Sequence, residues 1–215
     1  TGGEPLVRRD VEKLVALLSA LGLADLALTT NGQSLADKAA GLKRAGLMRV
    51  NVSLDSIDSQ TFRRMTGGGD LRRTLAGIEA ALRYDLRPVK LNAVVLRGVN
   101  DRQIVELTRF GLAHGCEVRF IELLPIASAA ARHKQWFVPA HEMMTRLAAA
   151  FSLRPVPSPP GSSSRNYEAR DEHGRRGLIG FISSWSRPFC ADCRRLRLTP
   201  TGTLLGCLAR RDGVP

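Results

Sequence analysis

Strand-like and helix-like segments alternate from Asp10 to Leu123, and that alternation leaves few architectures open. Asp10 to Leu21 sets Val11, Leu14, Val15, Leu18 and Leu21 at helical spacing, and Gly22 ends the run. Leu26 to Thr30 is β-prone and is stopped by Asn31-Gly32. Ser34 opens a helix that runs to Arg44, with Asp37 as its capping-box partner. Arg49 to Leu54 reads as a strand, and Leu71, Leu75, Ile78 and Leu82 mark a helix face. Val89 to Leu96 is the longest strand, Asn100 or Asp101 caps the helix to His114, and Glu117 to Leu123 is a further strand. Repeated β–α units predict an α/β fold, a parallel sheet covered by helices. Periodicity leaves an open sheet and a barrel equally available.

The 215 residues are 44% hydrophobic, enough for a real core, but aromatics are only 5%, so aliphatic side chains must fill it. Residues 125–138 break the alternation. Pro139 to Phe151 reads as a helix with Met143 and Met144 in the core, and Cys116 reads as a small core residue. The Pro/Ser-rich stretch from Pro155 to Ser164 reads as a flexible connection, placing a boundary between 1–154 and 155–215. Beyond it, Leu178 to Ile182, Leu196 to Thr199 and Thr203 to Leu205 suggest a small β-rich tail. No apolar run is long enough for a membrane span and no export signal is present, so a cytoplasmic location is expected. The chain opens on Thr1 in mid-motif and closes on Gly213-Val214-Pro215, which suggests a piece of a longer protein.

The strands carry polar residues where a sheet covered on both faces should be apolar. Lys90 and Asn92 share one strand face, and Asn51, Ser53 and Asp55 share another. Thr29-Thr30-Asn31-Gly32 ends its strand in small polar groups, and Arg119 and Glu122 lie in the fourth strand. Burying a charge costs several kcal/mol unless it is paired. A shared cavity at the strand ends explains the intrusions together. A structural Lys90–Glu122 ion pair is the plainer alternative. Asp55, Asn92 and Glu122 can orient ligands. Gly2-Gly3 allows close backbone approach, and Glu4 can accept hydrogen bonds from an amine or from ribose hydroxyls.

Near the end stand Cys190, Cys193 and Cys207, spaced C-x2-C-x13-C, with Arg194, Arg195 and Arg197 just after the second thiol. Iron–sulfur clusters and structural zinc usually take four protein ligands, so three thiolates leave one metal position open. Zinc held by these cysteines and a histidine such as His173 is the alternative that spacing alone allows; His114, His133 and His141 read as surface or loop residues. With 32 basic and 20 acidic residues, the chain carries a formal charge of +12. Arginine dominates, which suits bidentate phosphate contacts. The aromatics that stack nucleobases are not interleaved with it, so nucleic acid is not an expected partner.

In order, Thr1-Gly2-Gly3-Glu4-Pro5, Thr29-Thr30-Asn31-Gly32, Val52-Ser53-Leu54-Asp55-Ser56, Lys90-Leu91-Asn92-Ala93-Val94-Val95, Arg97-Gly98-Val99-Asn100-Asp101, Arg119-Phe120-Ile121-Glu122 and the cysteine tail resemble the GTP 3′,8-cyclase family (molybdenum cofactor biosynthesis protein A). These are radical S-adenosylmethionine enzymes that open molybdenum cofactor synthesis. The resemblance implies an incomplete (β/α) barrel with a small C-terminal cluster-binding extension, lacking here the N-terminal strand and the C-terminal tail. It implies that Gly3, Ser53 and Leu124 contact S-adenosylmethionine, and that Thr30, Lys90, Arg119, Arg195, Leu196 and Arg197 bind GTP. Cys190, Cys193 and Cys207 would hold an auxiliary [4Fe–4S] cluster whose open iron receives guanine. A second cluster, which cleaves S-adenosylmethionine, would sit on an upstream C-x3-C-x2-C motif that these residues do not contain, so the piece alone is expected to be inactive. A non-catalytic degenerate homologue and a zinc-binding basic module are the alternatives. The resemblance also admits a homodimer and implies cyclic pyranopterin monophosphate synthase downstream. Leu124 stands where the family often has methionine, and Arg194 where asparagine is frequent.

Overall fold

A computed structural model describes residues 3–207, 213 and 214, so Thr1, Gly2 and Pro215 lie outside the described residues. Strands β1 (Ala27–Thr30), β2 (Arg49–Ser53), β3 (Lys90–Val95) and β4 (Glu117–Glu122) alternate with helices. The helices are α1 (Val11–Ser19), α2 (Leu35–Arg44), α3 (Ser59–Thr66), α4 (Leu71–Arg83) and α5 (Ile104–His114). Short α6 (His133–Trp136) and α7 (Ala140–Ala148) lead into β5 (Ser152–Val156), β6 (Arg165–Arg170) and β7 (Arg176–Ile182). The seven strands form one sheet in the order β1-β2-β3-β4-β7-β6-β5. The first five in that order are parallel, and β6 and β5 add as antiparallel neighbours. The sheet runs from edge to edge without closing among the described residues, as an incomplete barrel does. Residues of β8 (Arg197–Leu198), β9 (Leu204–Leu205) and β10 (Gly213–Val214) make a separate three-stranded antiparallel sheet.

The period-two pattern explains which face meets the helices. Val50, Val52, Leu91, Ala93, Val95, Val118, Phe120, Ile179 and Phe181 are all buried, and they pack in one cluster with helix residues such as Leu35, Leu42, Ile78, Leu107, Met143 and Leu147. Each large side chain buried there contributes about 1.5–3 kcal/mol. The alternate residues Asn51, Ser53, Lys90, Asn92 and Arg119 are only half-buried on the opposite face. The helices thus seal one side of the sheet and leave a polar floor on the other. Among the described residues no helix is long and apolar enough to cross a membrane.

Several local expectations need correction. Leu178 to Ile182, expected in the cysteine tail, belongs to β7 and pairs parallel with β4. Pro155 and Val156 complete β5, and residues 157–164 connect it to β6 within the same sheet. Helix α3 was not anticipated, because its buried residues are only Thr61 and Phe62 and give no apolar period. Its signals are local: the Asp58 carboxylate accepts from the Thr61 N–H at 2.8 Å, and Gly67 closes it at φ 68°. Ser34 makes no side-chain cap, so the capping box with Asp37 does not form. Asn100 does not cap α5, which begins after Gln103. Instead the Asn100 amide donates to the Asp55 and Val94 carbonyls at 2.7 and 2.9 Å and accepts from the Leu96 N–H at 2.7 Å. Asp101 accepts from the Gly98 N–H and from Arg146. His133 is buried rather than in a surface loop; its Nε2 lies 2.9 Å from the Leu123 carbonyl and its ring stacks on Phe137. Cys116 is a core residue, its thiol pushed up to about 11 by burial. Met143 is fully buried, and Met144 packs against the same core.

Candidate functional site

Strand register sets the polar floor. Thr29, Asn51, Lys90 and Glu117 lie side by side across β1, β2, β3 and β4. One step along, Ser53, Asn92, Arg119 and Gly180 form the next row across β2, β3, β4 and β7. A Cβ on Gly180 would run into the Ser164 hydroxyl and lie 2.8 Å from Asn166 Oδ1, so the glycine gives these β6-side groups their space, with the Arg119 stem in ordinary contact at 3.5 Å. Glu117 joins the rows: its carboxylate is 2.7 Å from Arg119 Nε and 3.4 Å from Lys90 Nζ. Lys90 therefore pairs with Glu117, and the alternative Lys90–Glu122 pair is not formed. Burial pushes the Lys90 ammonium below the usual lysine range, against the pull of Glu117. Arg49 is held by Asp25 through contacts of 2.8 and 2.5 Å, and the guanidinium holds the Asp25 carboxyl below its usual range. Asn92 Oδ1 is buried without a hydrogen-bond partner among the described residues, an acceptor that a ligand donor would satisfy.

Glu122 is not part of this floor. It alternates onto the helix side and is 1% exposed. Its Oε1 accepts from the Ala140 N–H at 2.8 Å, and Oε2 accepts from the Trp185 and Ser186 N–H groups at 2.9 and 2.8 Å. Asp55 sits past the end of β2 and accepts from the Val94 N–H at 2.8 Å, and burial raises its pKa above the ordinary carboxylate value.

Beside the floor lies a cavity of about 970 Å³, near the upper end for small-molecule sites. It is lined by Gly3 and Glu4, by Thr30 and Asn31 at the end of β1, by Ser53, and by Arg197 of the small sheet. Glu4 ties the opening loop to β1: Oε1 accepts from the Thr30 hydroxyl at 2.6 Å and Oε2 from the Asn31 N–H at 2.7 Å. Glu4 is thus a clasp within the chain, both its carboxylate oxygens accepting from the end of β1. Thr30 is buried and its Oγ1 also accepts from the Gly32 N–H at 3.0 Å. A Cβ built on Gly3 would meet nothing within 4 Å, so the loop backbone faces open space that a ligand can approach.

Of the three residues expected to contact one ligand, Gly3 and Ser53 line the cavity, while Leu124 is half-buried and does not. Arg195 points elsewhere: its Nε is 3.4 Å from Cys193 Sγ and its guanidinium lies 4.8 Å from the Phe189 ring centre. Leu196 is exposed. Cys190 and Cys193 flank a single 3₁₀ turn, with the Cys193 N–H bonded to the Cys190 carbonyl at 3.2 Å. The Arg195 hydrogen bond lowers the Cys193 thiol, which favours the thiolate that binds metal. The donor chemistry suits an iron–sulfur cluster. Among the described residues, however, no three His, Cys, Asp or Glu side chains are gathered as a metal-binding group. Glu117 and the Asp25–Arg49 pair were missed in the sequence. The signal for Glu117 was there, because it stands two residues before Arg119 and so shares its face.

Residues 1–111 match the family model described as Radical SAM superfamily. This chain belongs to the radical SAM superfamily. Residues 116–215 match the model described as Molybdenum Cofactor Synthesis C. A GTP 3′,8-cyclase of Pelotomaculum thermopropionicum is 43% identical over 97% of this radical SAM chain and 64% of its own length. One of Geobacter sulfurreducens is 42% identical over 99% of the chain and 65% of its own length. The chain thus spans a little less than two thirds of these curated relatives. SuiB of Streptococcus suis matches with a TM-score of 0.60 at 15% identity, over 96% of this chain and 49% of that one, a likeness of fold alone.

Proposed function

We propose that the chain is the substrate-holding part of a GTP 3′,8-cyclase, which turns GTP into 3′,8-cyclo-7,8-dihydro-GTP at the start of molybdenum cofactor synthesis in the cytoplasm. One observation carries the reading. A single cavity gathers Gly3, Thr30, Ser53 and Arg197 from separate parts of the chain, beside a floor bearing Lys90 and Arg119. The similarity to curated cyclases across nearly the whole chain supports it. Gly3 and Ser53 would hold S-adenosylmethionine; Leu124 is proposed as a further contact to it on resemblance alone, since it does not line the cavity. Thr30, Lys90, Arg119 and Arg197 would hold GTP, the cations toward its phosphates. Cys190, Cys193 and Cys207 would hold the auxiliary [4Fe–4S] cluster, and Arg195, hydrogen-bonded to Cys193, and Leu196 would meet GTP from the cluster side. Bound there, the cluster would supply a Lewis-acidic iron for guanine. The chain's own contribution is to fix the nucleotide, orient its ribose and exclude water. The residues contain no C-x3-C-x2-C motif, so the proposal assigns them binding rather than S-adenosylmethionine cleavage. The product would pass to cyclic pyranopterin monophosphate synthase, and a homodimer is part of the proposal.

Among the described residues no histidine is gathered with two of the cysteines, as the zinc alternative would need; His173 lies in the turn between β6 and β7, its ring 3.6 Å from Glu172. Oxygen-free reconstitution with metal counting is expected to find iron bound through the three cysteines, about four atoms per auxiliary cluster. Stoichiometric zinc in its place would reject the reading. Arg197→Ala is expected to weaken GTP binding about tenfold, with a smaller loss for Arg195→Ala, which lies away from the cavity. Unchanged affinity in both would overturn the substrate assignment.

A further inference from the structure

We infer that Glu117 is the positioning residue that binds the Lys90 ammonium and the Arg119 guanidinium into one polyphosphate-gripping unit on the sheet floor. The inference rests on the proposed nucleotide reading of the cavity and adds to it a residue that does not touch the ligand. Three observations support it. Glu117 is buried at 8% exposure, yet its two oxygens face two different cations, at 2.7 and 3.4 Å. The side chains of those cations are 18% and 15% exposed, so both keep some access to solvent while their shared partner has less. The buried Asn92 acceptor without a partner stands beside Lys90 and Arg119 on the same face. Both cations and this acceptor thus share the polar face of the sheet, beside the cavity rather than in its lining.

The electrostatics define what Glu117 does. Lys90 is faced by Glu117 and Arg119 from β4 and by Arg49 from β2, and Arg49 is itself paired to Asp25. Burial and the two guanidinium groups all favour neutral lysine, and Glu117 is the group that opposes them. Without it Lys90 would titrate at lower pH. A lysine lost in this way serves below its folded pKa and fails as pH rises through it. Glu117 would thus keep Lys90 charged where polyphosphate must be gripped, and hold the Arg119 fork in one orientation.

Titration calorimetry on the oxygen-free, reconstituted full chain tests this, with inorganic tripolyphosphate and GTP as probes, from about pH 6.5 to about pH 9. The native protein is expected to bind tripolyphosphate with nearly constant affinity. Glu117→Gln is expected to lose about tenfold at the alkaline end and to recover toward acid. Lys90→Arg added to that variant should flatten the profile, since guanidinium does not titrate in this range. A Glu117→Gln protein with native affinity and native profile would overturn the inference, as would native protein that ignores tripolyphosphate. Should Glu117→Gln fail to fold by circular dichroism, Glu117→Asp keeps the charge and shortens the reach. It is expected to lose about threefold with a flat profile, and native affinity there would also overturn the inference. GTP binding no tighter than tripolyphosphate would reject the guanine assignment, while the Glu117 effect on tripolyphosphate would still uphold the positioning role.

Discussion

Glu122→Ala is expected to destabilise the fold by about 3 kcal/mol or more, the range for exposing buried donors that met a charged acceptor. The side chain is 1% exposed and joins three segments distant in sequence. One oxygen takes the first N–H of α7 at Ala140 and the Ser186 hydroxyl; the other takes the Trp185 and Ser186 N–H groups. A carboxylate suits this place because every neighbour is a donor and because α7 presents the positive end of its dipole. Alanine leaves three backbone N–H groups and a hydroxyl facing a void. Glu122→Gln keeps the volume but turns one acceptor into a second donor among donors, so it should cost about half as much. Urea melts at constant m-value give the difference directly. A loss under about 1 kcal/mol for alanine would mean that these donors find water or new partners readily. Trp185 fluorescence gives a second reading, because its ring lies edge-on to His133, 5.0 Å away, and should loosen with the loop.

Glu122 also shows where sequence reasoning stops. Its place in a strand was legible, and so was its cost if unpaired. Its face was not, because the partners come from residues 140, 185 and 186, beyond any local pattern. Lys90 and Asn92 were read correctly as sharing a face because the two-residue period is local. The partner of Lys90 was not legible, since the Lys90–Glu122 pair was only an alternative and the choice is made by the register of β3 against β4, which puts Glu117 opposite Lys90. Strand β7 was legible as a strand but not as a neighbour of β4. The Pro/Ser stretch before it looks like a linker, yet it only turns the chain from β5 to β6. Gly3, Thr30 and Ser53 were picked out by resemblance, and the cavity they line with Arg197 depends on β8 folding back over the start of the chain. Arg195 and Arg197, two residues apart, looked equivalent in the motif. The chain turns one toward the cysteines and the other toward the cavity.

Two helix glycines are expected to answer alanine in opposite directions. Both substitutions gain about 1 kcal/mol of helix propensity, so packing decides the sign. In α2, a Cβ on Gly41 would meet only the flexible Glu12 side chain at 3.4 Å. Gly41→Ala should therefore stabilise by about 0.5–1 kcal/mol. In α4, a Cβ on Gly77 would lie 2.6 Å from the Gly32 carbonyl oxygen and 3.0 Å from Leu35 Cβ. A carbonyl in a turn cannot rotate aside as a side chain can. Overpacking of this kind costs about 1–3 kcal/mol, so Gly77→Ala should be destabilising on balance, and the larger, β-branched Gly77→Val by about 3 kcal/mol or more. The effect should reach the cavity. The same helix grips the Asn31–Gln33 turn through Thr74 Oγ1 to the Asn31 carbonyl at 3.0 Å and Gln33 Nε2 to the Asp70 carbonyl at 2.8 Å. Pushing α4 outward would drag Asn31 and Thr30 from their Glu4 clasp. Gly77→Ala should thus weaken GTP binding about tenfold at a temperature where the protein is folded, while Gly41→Ala leaves it unchanged. Melting midpoints that move in the same direction for the two alanines would show that α4 can shift without cost, and that the close approach of helix to turn does not hold the cavity's edge.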